Sequence, residues 1–187
     1  MRIISGKFKN KKLHFPKNLK TRPLKDSVRE NIFNILKHSN KIEIQIKNSS
    51  IVDLYAGTGS FGLECLSREA SNVFFVENDK EALENLKKNI RSLRLEDQSK
   101  IFDKDINKID ENFFQKIKFD LIFLDPPYLE KNYDKILNII KKCNILNKNH
   151  ILILHREKGS DHKSLGNLNV IENRVYGRSQ IFFLKLF

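Results

Sequence analysis

Four consecutive residues, Asp125-Pro126-Pro127-Tyr128, follow directly on the apolar run Leu121-Ile122-Phe123-Leu124. A carboxylate, two prolines and an aromatic ring at the end of a buried strand suit a planar group that bears an amine. The Asp125 carboxylate accepts one N–H of such an amine, and a backbone carbonyl within the Pro126-Pro127 segment accepts the other. Proline has a fixed φ and no N–H, so the loop is stiff and offers acceptors rather than donors. Tyr128 then stacks on the ring. With both hydrogens held, the nitrogen lone pair is turned toward an electrophile, which is catalysis by orientation and electrostatics without a covalent intermediate. A proline-rich turn that merely ends a strand is the plainer alternative, and the flanking Asp and Tyr argue against it.

The electrophile is read from another segment. The strand-like Ile51 to Tyr55 leads into Ala56-Gly57-Thr58-Gly59-Ser60-Phe61-Gly62 and then into a helix-like stretch from Leu63 to Glu69. Gly57, Gly59 and Gly62 match the dinucleotide spacing, a weak signal alone. The Lys-Ser/Thr pair of a nucleoside triphosphate loop is absent. Asp53 precedes the glycines, and Glu77, with Asn78 beside it, ends a second strand-like run from Asn72 to Val76. An acid beside the loop suits a cofactor carrying an ammonium and a sulfonium, and Glu77 is placed to take both ribose hydroxyls. That combination describes S-adenosylmethionine better than a nicotinamide, with Gly57, Thr58 and Gly59 as the loop contacts. Asp105, followed by Ile106, lies just past Lys100-Ile101-Phe102, where the adenine amino group of such a cofactor is expected; Asp103 is the alternative.

The order of glycine loop, Glu77, Asp105 and Asp125 to Tyr128 resembles the S-adenosylmethionine-dependent amino-methyltransferases. Within them, the segment from Arg22 to Asn34, opening Arg22-Pro23-Leu24-Lys25-Asp26-Ser27, resembles the N-terminal signature of the RsmD-type enzymes. Arg2-Ile3-Ile4-Ser5-Gly6-Lys7, Tyr133 and the closing Tyr176-Gly177-Arg178-Ser179 fit the same pattern. The resemblance implies methylation of the exocyclic N2 of one guanine in bacterial small-subunit (16S) ribosomal RNA, a protein-bound subunit particle as partner, and a monomer. The Asp-Pro-Pro-Tyr motif is shared with DNA adenine methyltransferases, so it specifies chemistry and not substrate.

Composition agrees. The formal net charge is +12 over 187 residues, which favours an anionic partner. Nine basic residues and no acid lie between Met1 and Lys25, so subtracting these nine leaves +3 for the remainder. Ile4, Phe8, Leu13 and Phe15 are interleaved with those lysines around Gly6 and Asn10, which predicts a short hairpin. Arg2, Lys7, Lys9, Lys11, Lys12 and Arg22 are expected to track phosphates, and an exposed Phe8 to stack on a base. A charged edge strand that resists aggregation is the alternative. No apolar run approaches a membrane span and no secretory h-region is found, which predicts a cytoplasmic protein. Cys65 and Cys143 read as reduced core thiols, and no metal-ligand spacing appears among Cys and His. His155, ending the run Ile151 to Leu154, reads as structural, with the rim of the cleft as the alternative.

The elements that must position these residues are those of an α/β protein. Asp26 is expected to cap a helix with Val28, Ile32, Ile35 and Leu36 on one face and Arg29, Asn31, Asn34 and Lys37 opposite. Lys41 to Ser50 reads as a polar connection. Strand-like runs at Ile51 to Tyr55, Asn72 to Val76, Lys100 to Asp103, Phe119 to Leu124 and His150 to His155 alternate with helix-like ones, which implies a parallel sheet covered on both faces. Val170 to Val175 and Gln180 to Leu186 form a closing hairpin around Gly177. The expectation is a Rossmann-like seven-stranded methyltransferase sheet, mostly parallel with a closing antiparallel strand. Residues 1-45 form a basic hairpin and helix extension for RNA contact, and 46-187 the methyltransferase domain. Three alternatives remain: a DNA adenine-N6 methyltransferase, a nicotinamide dehydrogenase, and a non-catalytic RNA-binding assembly factor.

Overall fold

The computed structural model describes residues 1–16, 24–110, 112–114, 117–127, 133–142, 144–160 and 168–186. Tyr128, Arg22 and Cys143, and with them the expected ring-stacking contact and one expected phosphate contact, lie outside the described residues.

Helix α1 (Asp26–His38) leads through an irregular segment to strand β1 (Ser50–Leu54) and helix α2 (Ser60–Ser67). Then come β2 (Asn72–Glu77), α3 (Lys80–Leu93), β3 (Ser99–Asp103), β4 (Phe119–Leu124), α4 (Tyr133–Lys142), β5 (Leu146–Glu157), β6 (Asn169–Tyr176) and β7 (Ser179–Lys185). The seven strands form one sheet in the order β3-β2-β1-β4-β5-β7-β6. β1 pairs in parallel with both β2 and β4, β4 with β5, and β7 inserts antiparallel between β5 and β6. The expected alternation therefore yields the expected sheet. Strand order reverses beside β1, so the loops after β1 and β4 open at one switch point.

The strand β1 sequence Ile51-Val52-Asp53-Leu54 is almost entirely buried because helices cover both faces of a parallel sheet. One core layer gathers α1, α2, α3 and residues such as Ile51, Phe75 and Phe123; the other gathers Val52, Leu54, Ile122, Leu152 and α4. Rings stack through the first layer, from Phe33 to Phe61 at 5.2 Å and from Phe61 to Phe123 at 3.9 Å between centroids. Ile3, Leu13 and Leu24 belong to the same layer, so the core runs continuously from the N-terminal region into the sheet.

Several local expectations are corrected. Arg29 does not face solvent. It is 0 % exposed, because it shares the helical stripe of Ile32, Phe33 and Leu36 at spacings of three, four and seven. Its Nη2 donates to the Arg2 carbonyl and to Asp26 Oδ1 at 3.0 Å, and its Nε lies 3.8 Å from Glu64 Oε2. Burial pushes the guanidinium below its ordinary value, and Asp26 and Glu64 oppose that shift. Asp26 is the first helical residue and pairs with Arg29 instead of capping. The connection from Lys41 to Ser50 is only half polar, since Ile42 is buried and Ile44 and Ile46 pack on the core. Strand β5 begins at Leu146, four residues earlier than the apolar run suggests.

The N-terminal segment folds back on itself, but with a single antiparallel bridge, Arg2 to Lys12, instead of a two-stranded ladder. Its backbone is held by α2. Ile4 and Ser5 N–H groups donate to the buried Glu64 carboxylate at 2.7 and 2.9 Å, and Lys7 and Phe8 N–H groups to the Ser67 carbonyl and Oγ at 2.8 and 3.0 Å. Gly6 has φ +81°, and a Cβ there would stand 1.9 Å from the Ser67 carbonyl oxygen, so only glycine fits. Phe8 is half-buried against the core, not exposed, because the same anchoring draws it onto α2.

Candidate functional site

Register assembles the site. Val76, Leu54, Leu124 and Leu154 stand in one row across β2, β1, β4 and β5. The residues one step further along are Glu77, Tyr55, Asp125 and His155, so these four stand level at one end of the sheet, the first three half-buried and His155 buried. Asp125 N–H donates to the Leu54 carbonyl at 3.3 Å and Ala56 N–H to the Val76 carbonyl at 3.1 Å, which ties both loops to the sheet.

In the glycine loop, Tyr55, Gly57 and Gly59 all have positive φ (59°, 56° and 83°). A Cβ at Gly59 would meet Leu86 Cδ1 at 2.4 Å, and one at Gly62 would meet Phe75 Cε1 at 2.3 Å. These two glycines let α2 sit close on β2 and α3. Gly57 differs: nothing lies within 4 Å of where its Cβ would be, so this residue faces open space. Glu77 Oε2 accepts from Gly57 N–H at 2.7 Å, and Oε1 from Asn78 and Asp79 N–H groups at 2.8 and 2.9 Å. Thr58 is buried, and its carbonyl accepts from the Asn89 amide at 3.0 Å. Asn89 is itself fully buried and also takes the His14 N–H at 2.6 Å and donates to the His14 carbonyl at 3.1 Å. The basic N-terminal segment is thereby fastened to the glycine loop.

Asp53 lies beneath this loop. It is 1 % exposed, and its Oδ2 accepts from Gly62 N–H at 2.9 Å. Burial pushes its carboxyl well above the ordinary carboxylate range; the Gly62 hydrogen bond opposes this, and the charges of Asp125 and Glu77 reinforce it. Asp53 thus braces α2 from beneath the loop rather than standing at the rim. Exposed Asn78 and half-buried Asp105 are at the open end of the sheet; Asp105 accepts from Asn107 N–H at 2.9 Å, and Ile106 is buried below it. The glycine loop follows β1, Glu77 ends β2 and Asp105 lies just past β3, three adjacent strands. Expected phosphate-contact residues Lys7, Lys9, Lys11 and Lys12 are exposed on the N-terminal segment, as is Arg2.

The Asp125 loop has different partners. Asp125 is 23 % exposed along its side chain, and its Oδ1 lies 2.7 Å from His155 Nδ1. Arg156 Nη1 donates to the Pro127 carbonyl at 3.1 Å. Pro126 is buried and Pro127 exposed. Sequence reasoning left His155 structural and passed over Arg156, Asn89 and Glu64. A signal for His155 was present, since it follows Ile151 to Leu154 as Asp125 follows Leu121 to Leu124. A polar groove of about 780 Å³ between α1 and β6 shares no residue with either loop.

Glu77 ends β2 and Asp125 follows β4, one on each side of β1, and Gly57 leaves open space above the loop, so acids and room for a cationic cofactor occur together. The sheet order and the paired loops define a Rossmann-like methyltransferase. The family model described as conserved hypothetical protein 95 (Cons_hypoth95) matches residues 1–185, and the chain belongs to that family. The Haemophilus influenzae ribosomal RNA small subunit methyltransferase D is 30% identical over 95% of this chain and 89% of its own. A solved Haemophilus influenzae structure, described provisionally as a methylase, superposes with TM-score 0.75 at 27% identity, covering 100% of this chain and 98% of that one. SMU.776, described provisionally as a methyltransferase and solved with S-adenosylhomocysteine, has TM-score 0.66 at 13% identity, over 84% of this chain and 49% of its own.

Proposed function

We propose that this chain is an S-adenosylmethionine-dependent methyltransferase acting on the exocyclic N2 amine of a guanine in 16S ribosomal RNA. The observation that carries the reading is the juxtaposition of the Asp125–Pro127 loop with the glycine loop, joined through Asp125 N–H and the Leu54 carbonyl. Membership of a family with ribosomal RNA methyltransferases among its relatives supports the substrate class. The remaining acceptors fit: with the Pro127 carbonyl taken by Arg156, the Pro126 carbonyl is the second acceptor for the amine.

Gly57, Thr58 and Gly59 would hold the amino-acid end of the cofactor, Glu77 its ribose, and Asp105 its adenine. When bound, that cofactor supplies an electrophilic methyl group on a sulfonium. Asp125 accepts one amine N–H and the Pro126 carbonyl the other, while Tyr128 stacks on the guanine. The proton displaced by the new N–C bond passes to Asp125 or to solvent. Drawing the base from its stack costs a few kcal/mol, least for a base already in a loop. Residues 1-45 would recover that cost through phosphate contacts of Arg2, Lys7, Lys9, Lys11, Lys12 and Arg22, while 46-187 carry the transfer. The target would be a small-subunit particle in the bacterial cytoplasm, met by the monomer.

The test is transfer of labelled methyl from S-adenosylmethionine to unmethylated small subunits, stripped RNA and duplex DNA, followed by nucleoside analysis. N2-methylguanosine from the ribosomal samples is the expected product. N6-methyladenine from DNA would sink the ribosomal assignment, and RNA binding without any transfer would leave only an assembly factor.

A further inference from the structure

The Asp125–Pro127 loop has a donor problem that the neighbouring strand solves. Neither proline has an N–H, so beyond the Asp125 N–H the loop can be held only through its carbonyls and the Asp125 carboxylate. Its anchors must therefore be donors. Near its carboxyl end strand β5 carries two consecutive donors, His155 and Arg156, both buried. Parallel pairing of Leu124 with Leu154 brings Asp125 and His155 level, one residue past the end of that register.

The His155 ring nitrogen Nδ1 lies 2.7 Å from Asp125 Oδ1, with 5 % of the His155 side chain exposed. An ionised carboxylate only accepts, so Nδ1 carries the proton and Oδ1 is committed to it. The Asp125 side chain remains 23 % exposed, which leaves Oδ2 as the oxygen an incoming amine reaches. Without this bond a carboxylate at a strand end rotates about its last side-chain torsion, a broad two-fold well, and offers either oxygen.

We propose that His155 is the positioning residue for Asp125: it fixes the carboxylate plane so that Oδ2 meets the target amine. Arg156, donating to the Pro127 carbonyl at 3.1 Å, holds the backbone of the same loop from the adjacent position. His155 does not touch the substrate; it acts through Asp125. This rests on the reading of Asp125 as the acceptor of the amine.

The test compares His155→Leu with His155→Asn, whose amide N–H replaces Nδ1–H without an imidazole. In His155→Leu, kcat for methyl transfer falls roughly 10- to 100-fold, the scale of a lost orientational restraint, while the Kd for S-adenosylmethionine stays within about twofold. His155→Asn restores kcat to within about threefold of the original protein. Wild-type kcat in His155→Leu would overturn the proposal, as would equal loss in the two variants. The pairing is read separately by the imidazole 15N shifts of His155, in the intact chain and in Asp125→Ala. A shift pattern of the Nδ1–H tautomer that changes when Asp125 is removed upholds the pair, and an unchanged pattern overturns it. If the unaltered protein binds S-adenosylmethionine yet methylates no acceptor, the functional reading fails, and the 15N shifts still decide whether His155 holds Asp125.

Discussion

The glycine loop between β1 and α2 gives its backbone N–H groups to carboxylates, Gly57 to Glu77 and, at the start of α2, Gly62 to Asp53, while its Thr58 carbonyl takes the Asn89 amide. The Asp125–Pro127 loop, one strand away, has lost two of its donors to proline and is held by donors, His155 and Arg156. The same end of the same sheet thus uses acids for one loop and bases for the other. Backbone chemistry selects the anchor, because every buried donor needs an acceptor and the reverse. An acid such as Glu77 beside the first loop suits the cationic cofactor of the proposed reaction, whereas the donors beside the second leave Asp125 partly exposed for the proposed amine.

Removing the working group of the second loop breaks this comparison hardest. Asp125→Ala is expected to lower methyl transfer by about a thousandfold or more, equivalent to ~4 kcal/mol, with cofactor affinity nearly intact. Calorimetric titration beside the transfer assay checks it, and parallel loss of both would take Asp125 out of the transfer step.

The glycines separate packing from binding within the first loop. Gly59→Ala combines φ +83° with a 2.4 Å approach to Leu86, and should cost about 3 kcal/mol in urea denaturation. Gly57→Ala, with φ +56° and open space around it, should cost only about 1 kcal/mol, while cofactor affinity falls. Equal stability losses would remove the distinction.

Glu77→Ala deprives three N–H groups of their acceptor and should weaken S-adenosylmethionine binding roughly 10- to 100-fold before any effect on kcat, at about 1.5–3 kcal/mol for charge-assisted bonds. Unchanged affinity would reject the ribose assignment. The smallest effect is reserved for Asp53→Asn, which keeps an acceptor for Gly62 and removes a charge.

Because the Asp53 carboxyl is raised in the folded chain, its contribution to stability is full below about pH 4 and is lost as pH rises through the folded value. Asp53→Asn should therefore gain stability over the original chain between pH 4 and pH 8. A flat difference across that range would mean that burial does not burden Asp53.

The placement of the candidate site residues was legible because their motifs end strands. The apolar runs Leu121 to Leu124 and Ile51 to Leu54 mark buried parallel strands, and their first polar successors fall at the carboxyl ends. Glu77 was legible for the same reason. Arg29 was misread because one charged residue within an apolar stripe looks like the edge of a polar face until its partners are known. Those partners, the Arg2 carbonyl and Glu64, come from 27 residues away along the chain and from another helix. Phe8 was misread because its exposure depends on where α2 holds the backbone around it.

The sequence by itself determined strand and helix periodicity, the stiffness and acceptor character of the Pro126-Pro127 loop, and the concentration of positive charge before Lys25. Those properties are local: they follow from side-chain spacing, from the missing proline N–H and from counting charges. Tertiary structure decided which residues share a row. Pairing of Leu54 with Val76 and Leu124, and of Leu124 with Leu154, sets Glu77, Asp125 and His155 side by side. A one-residue slip in any pairing would turn the side chains of that row to the other face, so register, which no single segment encodes, is what makes three strand ends into one site.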